Sequence, residues 1–195
     1  PDCILIGEIR DLETMRMALT YALSGHLCLA TLHANNAYQA MNRVISFFPL
    51  EVRPMLLQDL SVSLKAVISQ RLIKTLDGKR TPAVEVLLNT RNIQELIEKG
   101  EITEIKEAME RSMSPGSQTF EQDLFRLVRQ GRISQDEALA NADSATNLGL
   151  LLGNSGIMPA ATDRAKSPGA PGGGGRPGGG FGDFKIEEPT EERLG

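Results

Sequence analysis

Two short apolar runs, Cys3-Ile4-Leu5-Ile6 and Leu27-Cys28-Leu29-Ala30-Thr31-Leu32, most constrain what this chain can fold into. Runs this brief suit strands buried on both faces, the pattern of a parallel sheet. Between them Leu12, Met15, Ala18, Leu19, Ala22 and Leu23 recur at helical spacing, with Asp11 as N-cap and Gly25 as the stop. Residues 3–33 therefore read strand–helix–strand, a βαβ crossover. The expected fold class is α/β.

Further along, a helix is expected over Ala37–Phe47, stopping before Pro49, and another from near Pro54. The second carries Leu56, Leu57, Leu60, Leu64, Val67 and Ile68 on a broad apolar face. The pattern then drifts to alternation over Ser69–Lys74, and Asp77-Gly78 signals a two-residue hairpin turn returning through Ala83–Leu88. That hairpin would extend the edge of the parallel sheet. Short helices follow over about 92–99, 103–111, 119–129 and 134–141, broken at Gly100, Pro115-Gly116 and Gly131. Their apolar residues, from Leu96 to Ile133, would make a small satellite core. Residues 1–89 thus form one expected unit, 90–147 a helical subdomain, and 148–195 a Gly/Pro-rich disordered tail that cannot offset its backbone entropy by burial.

Bulk properties exclude several function classes. Across 195 residues, 41% are hydrophobic and the net charge is −4 with both signs interspersed, so no basic footprint for nucleic acid appears. No apolar run approaches the ~18 residues of a membrane span. Cys3 and Cys28 lie inside apolar runs and no secretory signal is seen, which suits a reducing cytoplasm. The chain starts at Pro1 and enters a strand at once, as expected of a piece cut from a longer protein.

Glu8 stands just past the C-terminal end of the first strand, where open α/β sheets place ligands. A carboxylate there can orient or deprotonate a water, or help hold Mg²⁺ beside phosphates; equally it can be a surface group paired with Arg10. His33 lies past the equivalent end of the next strand, where an imidazole can donate to a γ-phosphate. His26 starts that strand at the opposite edge, as a packing or hydrogen-bonding residue. No cluster with metal-ligand spacing is present.

The stretch Pro1-Asp2-Cys3-Ile4-Leu5-Ile6-Gly7-Glu8-Ile9-Arg10-Asp11 resembles the Walker B signature of the secretion ATPase superfamily. Thr20–His33, with Gly25-His26 and Thr31-Leu32-His33-Ala34-Asn35, is similar to the family's histidine box, and Gln118-Thr119-Phe120 to its late Gln-Thr segment. Within the superfamily the resemblance is to the pilus retraction ATPases, the PilT/PilU group, and leans toward PilU, over Pro1 to about Asn147. It implies the C-terminal part of a RecA-like P-loop NTPase core, ATP and Mg²⁺ as cofactors, and twitching motility as output. Glu8 would be the catalytic carboxylate, His33 and Arg10 nucleotide-binding groups, and Asp11 and His26 supporting residues. It further implies a hexameric homo-oligomer, an inner-membrane pilus platform protein and a partner retraction ATPase as contacts, and a cytoplasmic site peripheral to the inner membrane.

Two departures stand out. No Gly-x-x-x-x-Gly-Lys-Ser/Thr loop occurs in the 195 residues, so this chain alone is expected to be inactive. Gln94 stands where the family's Ala-Ile-Arg element has its arginine, which opens a second expectation, an accessory subunit acting through its C-terminal helices. A related pilus assembly or type II secretion ATPase is a third.

Overall fold

Asp11 starts the first helix by accepting the Thr14 N–H on Oδ1 at 2.8 Å, satisfying one of the orphan donors of the first turn. The helix α1 (Leu12–Leu23) then buries Met15, Ala18 and Leu19, and Gly25 leaves it with φ 98°. It connects β1 (Cys3–Ile6) to β2 (Leu27–Ala30), which pair in parallel from Cys3 opposite Leu27 to Ile6 opposite Ala30. The computed structural model describes residues 1–112 and 114–155, and the part of the expected tail from 156 onward lies outside them.

The α/β crossover is as expected, but β1 and β2 are not buried on both faces. They form a two-stranded sheet with no flanking strand among the described residues, so Leu5 stays 75% exposed and Cys3 is exposed rather than buried.

Asn36 caps α2 (Ala37–Ser46) through Gln39 N–H at 2.8 Å, and Pro54 sits in the first turn of α3 (Arg53–Ser63). That helix ends before Val67 and Ile68, which were expected on its apolar face and instead enter β3 (Ala66–Lys74). Asn89 Nδ2 donates to the carbonyls of Ser61 and Leu64 at 2.9 and 2.8 Å, closing the helix end, and β-branched residues then favour the strand. β4 (Arg80–Leu88) returns antiparallel, with Ser69 opposite Glu85 and Arg71 opposite Ala83. Its turn is longer than two residues: β3 stops at Lys74, Gly78 N–H bonds Thr75 O at 3.0 Å, and Gly78 takes φ 79°. Nor does the hairpin extend the parallel sheet; β3 and β4 form a sheet of their own.

The helices α4 (Arg91–Lys99), α5 (Ile105–Arg111), α6 (Phe120–Arg129), α7 (Gln135–Asn141) and α8 (Ala145–Asn154) complete the described chain. Their apolar residues do not make one satellite core. Ile93, Ile97, Ile102, Ile105 and Met109 join Met15, Met41, Leu56, Leu60 and Leu87 in a first core, whereas Phe120, Leu124, Leu127 and Ile133 pack with Ile73 and Ala83 of the hairpin in a second. Leu148 and Leu152 belong to that second core, so the expected start of the tail at residue 148 falls inside a helix. The reason is spacing: residues four apart share a helix face, and Leu148 and Leu152 cover the same strip.

Candidate functional site

Ile9, three residues past β1, is buried and its N–H donates to Thr31 O at 3.0 Å, which ties the loop after β1 to the residue after β2. In extended chain, alternate residues face opposite ways, so burying Ile9 turns Glu8 and Arg10 together toward the solvent side. Thr31 Oγ1 donates to Gly7 O and fastens the second strand end to the first. Two loops leaving adjacent parallel strands are thereby held side by side, the first delivering Glu8 and Arg10 and the second His33.

Glu8 is the centre of the cluster. Its Oε2 accepts from Arg10 Nε at 2.6 Å and lies 2.5 Å from Arg10 Nη2, while its Oε1 lies 3.1 Å from His33 Nε2. The Glu8 side chain is 20% exposed, that of His33 80%. The Arg10 hydrogen bond holds the Glu8 carboxyl below the ordinary glutamate range; partial burial opposes this, and the charges of Arg10, His33 and Arg43 reinforce it. Arg10 is raised in return by the same bond. Glu8 is thus a carboxylate at neutral pH with both oxygens engaged by largely exposed partners. Such a group can accept a hydrogen bond, or a proton, from water on the lone pairs that Arg10 and His33 leave over, so the positions of those two side chains set how much of it water can reach.

The other expected residues divide. Asp11 is one step from Arg10 but its carboxylate caps α1, and the Thr14 N–H it accepts holds it below the ordinary aspartate range. His26 is not brought to Glu8. It lies at the far end of β2, with Nδ1 3.0 Å from Ser24 Oγ and its ring edge-on to Tyr21 at 5.9 Å between centroids. Among the described residues no three His, Cys, Asp or Glu side chains are grouped to hold a metal ion.

Behind the His33 loop lies a polar layer that sequence reading missed. Glu85, buried on the inner face of β4, accepts the Ala37 N–H at 2.6 Å at the start of α2. Burial raises its carboxyl above the ordinary range, the Ala37 bond opposing. Arg71, on the inner phase of β3, bridges to Asp143. The signal for both was a charge at an inward position of an alternating strand, Ser69-Gln70-Arg71-Leu72-Ile73 and Ala83-Val84-Glu85-Val86-Leu87. Gln118-Thr119 proves architectural: Gln118 exchanges backbone bonds with Val86 at 2.8 and 3.0 Å, and Thr119 with Gln122 forms a capping box on α6.

Comparison with known proteins decides the family. The model of the type II/IV secretion system protein family matches residues 1–83. The type IV pilus ATPase PilU of Pseudomonas aeruginosa is 52% identical over 153 residues, covering 78% of this chain and 40% of that protein. The retraction ATPase PilT of the same organism is 42% identical over 147 residues, 75% of this chain and 43% of PilT. The crystal structure of the pilus retraction motor PilT with bound ADP superposes with a TM-score of 0.69 at 35% identity, over 77% of this chain and 42% of that one. About three quarters of this chain is PilT/PilU-type secretion ATPase sequence. It spans about two fifths of the length of these relatives. The ATPase DotB of Legionella pneumophila, at a TM-score of 0.62 and 29% identity, covers 71% of this chain and 37% of its own. The RecA-like expectation for the PilT/PilU-type core agrees with these matches.

Proposed function

We propose that the full-length protein hydrolyses ATP and that Glu8 is its water-activating carboxylate, with retraction of a type IV pilus as the mechanical output. The observation that carries this is the grip on Glu8: an ionised carboxylate past the ends of two parallel strands, held by Arg10 and His33, which are both able to donate to a phosphate. A nucleotide whose γ-phosphate draws His33 or Arg10 away would free a Glu8 oxygen for water. Hydrolysis would thereby be conditional on the nucleotide being a triphosphate.

Mg²⁺ enters this reading as phosphate-bound ion. The described residues hold no multi-carboxylate cage, and Mg²⁺ beside nucleotides is commonly held by phosphates, waters and one or two carboxylates. The donors here fit that lesser share. The phosphate-cradling loop itself would lie elsewhere in the full-length protein, because no such motif occurs in these 195 residues. Ring assembly, a platform protein at the inner membrane and a cytoplasmic location belong to the same proposal; no helix among the described residues is long and apolar enough to cross a membrane.

A second reading, an accessory subunit that binds a partner retraction ATPase, starts from Gln94 in α4, which stands where the resembled family's element has an arginine. Both are tested by Glu8→Gln in the full-length protein. The expected result is a fall in phosphate release of at least about 100-fold with nucleotide affinity within about threefold. Wild-type turnover in that variant would end the hydrolytic reading. Restored twitching by a turnover-dead variant would favour the accessory one.

A further inference from the structure

We propose that Arg71 and Asp143 are positioning residues that hold the His33 loop against Glu8 and tie it to the C-terminal helices. The proposal rests on the hydrolytic reading of Glu8 and His33 and goes beyond it by naming what sets their distance.

The His33 side chain is largely exposed and its partner is Glu8, so its position depends on the chain either side of it. On the N-terminal side, Thr31 is fastened to the Glu8 segment through Gly7 O and Ile9 N–H. On the C-terminal side the anchor is Arg71. Its Nη2 donates to Asn35 O at 3.2 Å and to the Asp143 carboxylate, and its Nη1 donates to Asn141 O at 2.7 Å. Its guanidinium lies 4.0 Å from the centroid of the Phe120 ring. One side chain therefore touches the His33 loop, the end of α7, the turn before α8 and the start of α6. A planar fork with several fixed donors over an aromatic face can do this; an ammonium, as a point charge, cannot.

Asp143 makes the same link a second time. Its Oδ2 accepts from Asn36 Nδ2 at 2.9 Å, and Asn36 Oδ1 in turn caps α2 through Gln39 N–H at 2.8 Å. Glu85 holds the adjacent Ala37 N–H from below. Of the two residues that follow Ala34, Asn35 is thus held through its carbonyl to Arg71 and Asn36 through its side chain to Asp143 in the turn between α7 and α8, while His33 is left reaching out to Glu8. A shift of the C-terminal helices moves Asp143 and Asn141, and through Arg71 it moves Asn35. Transition-state geometry is sensitive to such displacements, since about 1 Å of misplacement can cost about 100-fold in rate.

A double-mutant cycle in the full-length protein tests this, read by steady-state and single-turnover phosphate release. Arg71→Lys keeps the charge and loses the fork. It should lower kcat about tenfold with KM for ATP within about twofold, and lower it less than about twofold further in a His33→Ala background. Asp143→Asn should repeat the pattern. Equal losses in both backgrounds, or no loss from either variant, would overturn the proposal. So would failure of both variants to show a cooperative thermal transition, which would make the pair a fold clamp. Glu8→Gln run alongside separates the two levels. If it abolishes turnover while the cycle is additive, the positioning role alone fails; if it turns over normally, the underlying reading fails.

Discussion

Arg10 Nε reaches back two residues to Glu8 Oε2 at 2.6 Å, and the burial of Ile9 between them is what turns both side chains the same way. The pair lies in the loop that leaves β1, where the Ile9 N–H is held by Thr31 O at 3.0 Å. Removing the guanidinium by Arg10→Ala removes the largest cause of the lowered Glu8 carboxyl. Glu8 should then titrate closer to the ordinary glutamate value of about 4.3. The acid limb of the turnover–pH profile should move to higher pH with it. A side-chain carboxyl titration by NMR, set beside that profile, checks both; an unmoved Glu8 would show that His33 and Arg43 suffice.

His33 reads the third phosphate in the proposed mechanism, so His33→Ala should weaken binding of a non-hydrolysable ATP analogue more than binding of ADP. The expected preference change is roughly ten- to a hundredfold, the size of one hydrogen bond to a charged group. Calorimetry with both nucleotides on the full-length protein measures it. Equal weakening of both would assign His33 to general packing of the site.

Glu85 should make stability depend on pH. Burial raises its folded-state carboxyl above the unfolded value, so over the window between the two the folded protein keeps a proton that the unfolded chain has released. Its contribution is fullest below the unfolded value of about 4.3 and declines as pH climbs through the raised one. Glu85→Gln has no proton to lose. Its Tm should therefore gain on the wild type with rising pH, and a constant Tm difference from about pH 4 to about pH 8 would contradict the burial argument.

Leu148 is fully buried in the second core, whereas Leu150 on the same helix is 62% exposed. Leu148→Ala should cost about 2–5 kcal/mol in urea unfolding, and Leu150→Ala less than about 0.5 kcal/mol. Ending the chain after residue 147 should destabilise it more than either. A truncated chain as stable as the parent would mean α8 is dispensable to the second core.

Local features were the legible ones. The βαβ unit, the Asp11 cap, the positive-φ glycines 25, 78 and 100 and the hairpin all follow from short-range spacing, because helical period, strand alternation and turn chemistry act over a few residues. Val67 and Ile68 are ambiguous in the sequence because an apolar run at a helix end also suits a strand; Asn89, more than twenty residues on, closes the helix at Ser63. Leu148 and Leu152 read as tail in the sequence because Gly149 and Gly153, weak helix formers, sit beside them; packing in the second core makes the segment a helix.

For the site, the sequence by itself determined that Glu8 and His33 would stand past the ends of neighbouring strands, since a βαβ crossover brings those ends together. Only the tertiary structure decided that Glu8 spends both oxygens on Arg10 and His33, that His26 faces the other way, and that Arg71, Asp143 and Glu85 brace the loop from behind. The physical reason is range. Strand ends are placed by local pattern, but a buried charge reveals its partner only once distant elements have packed around it.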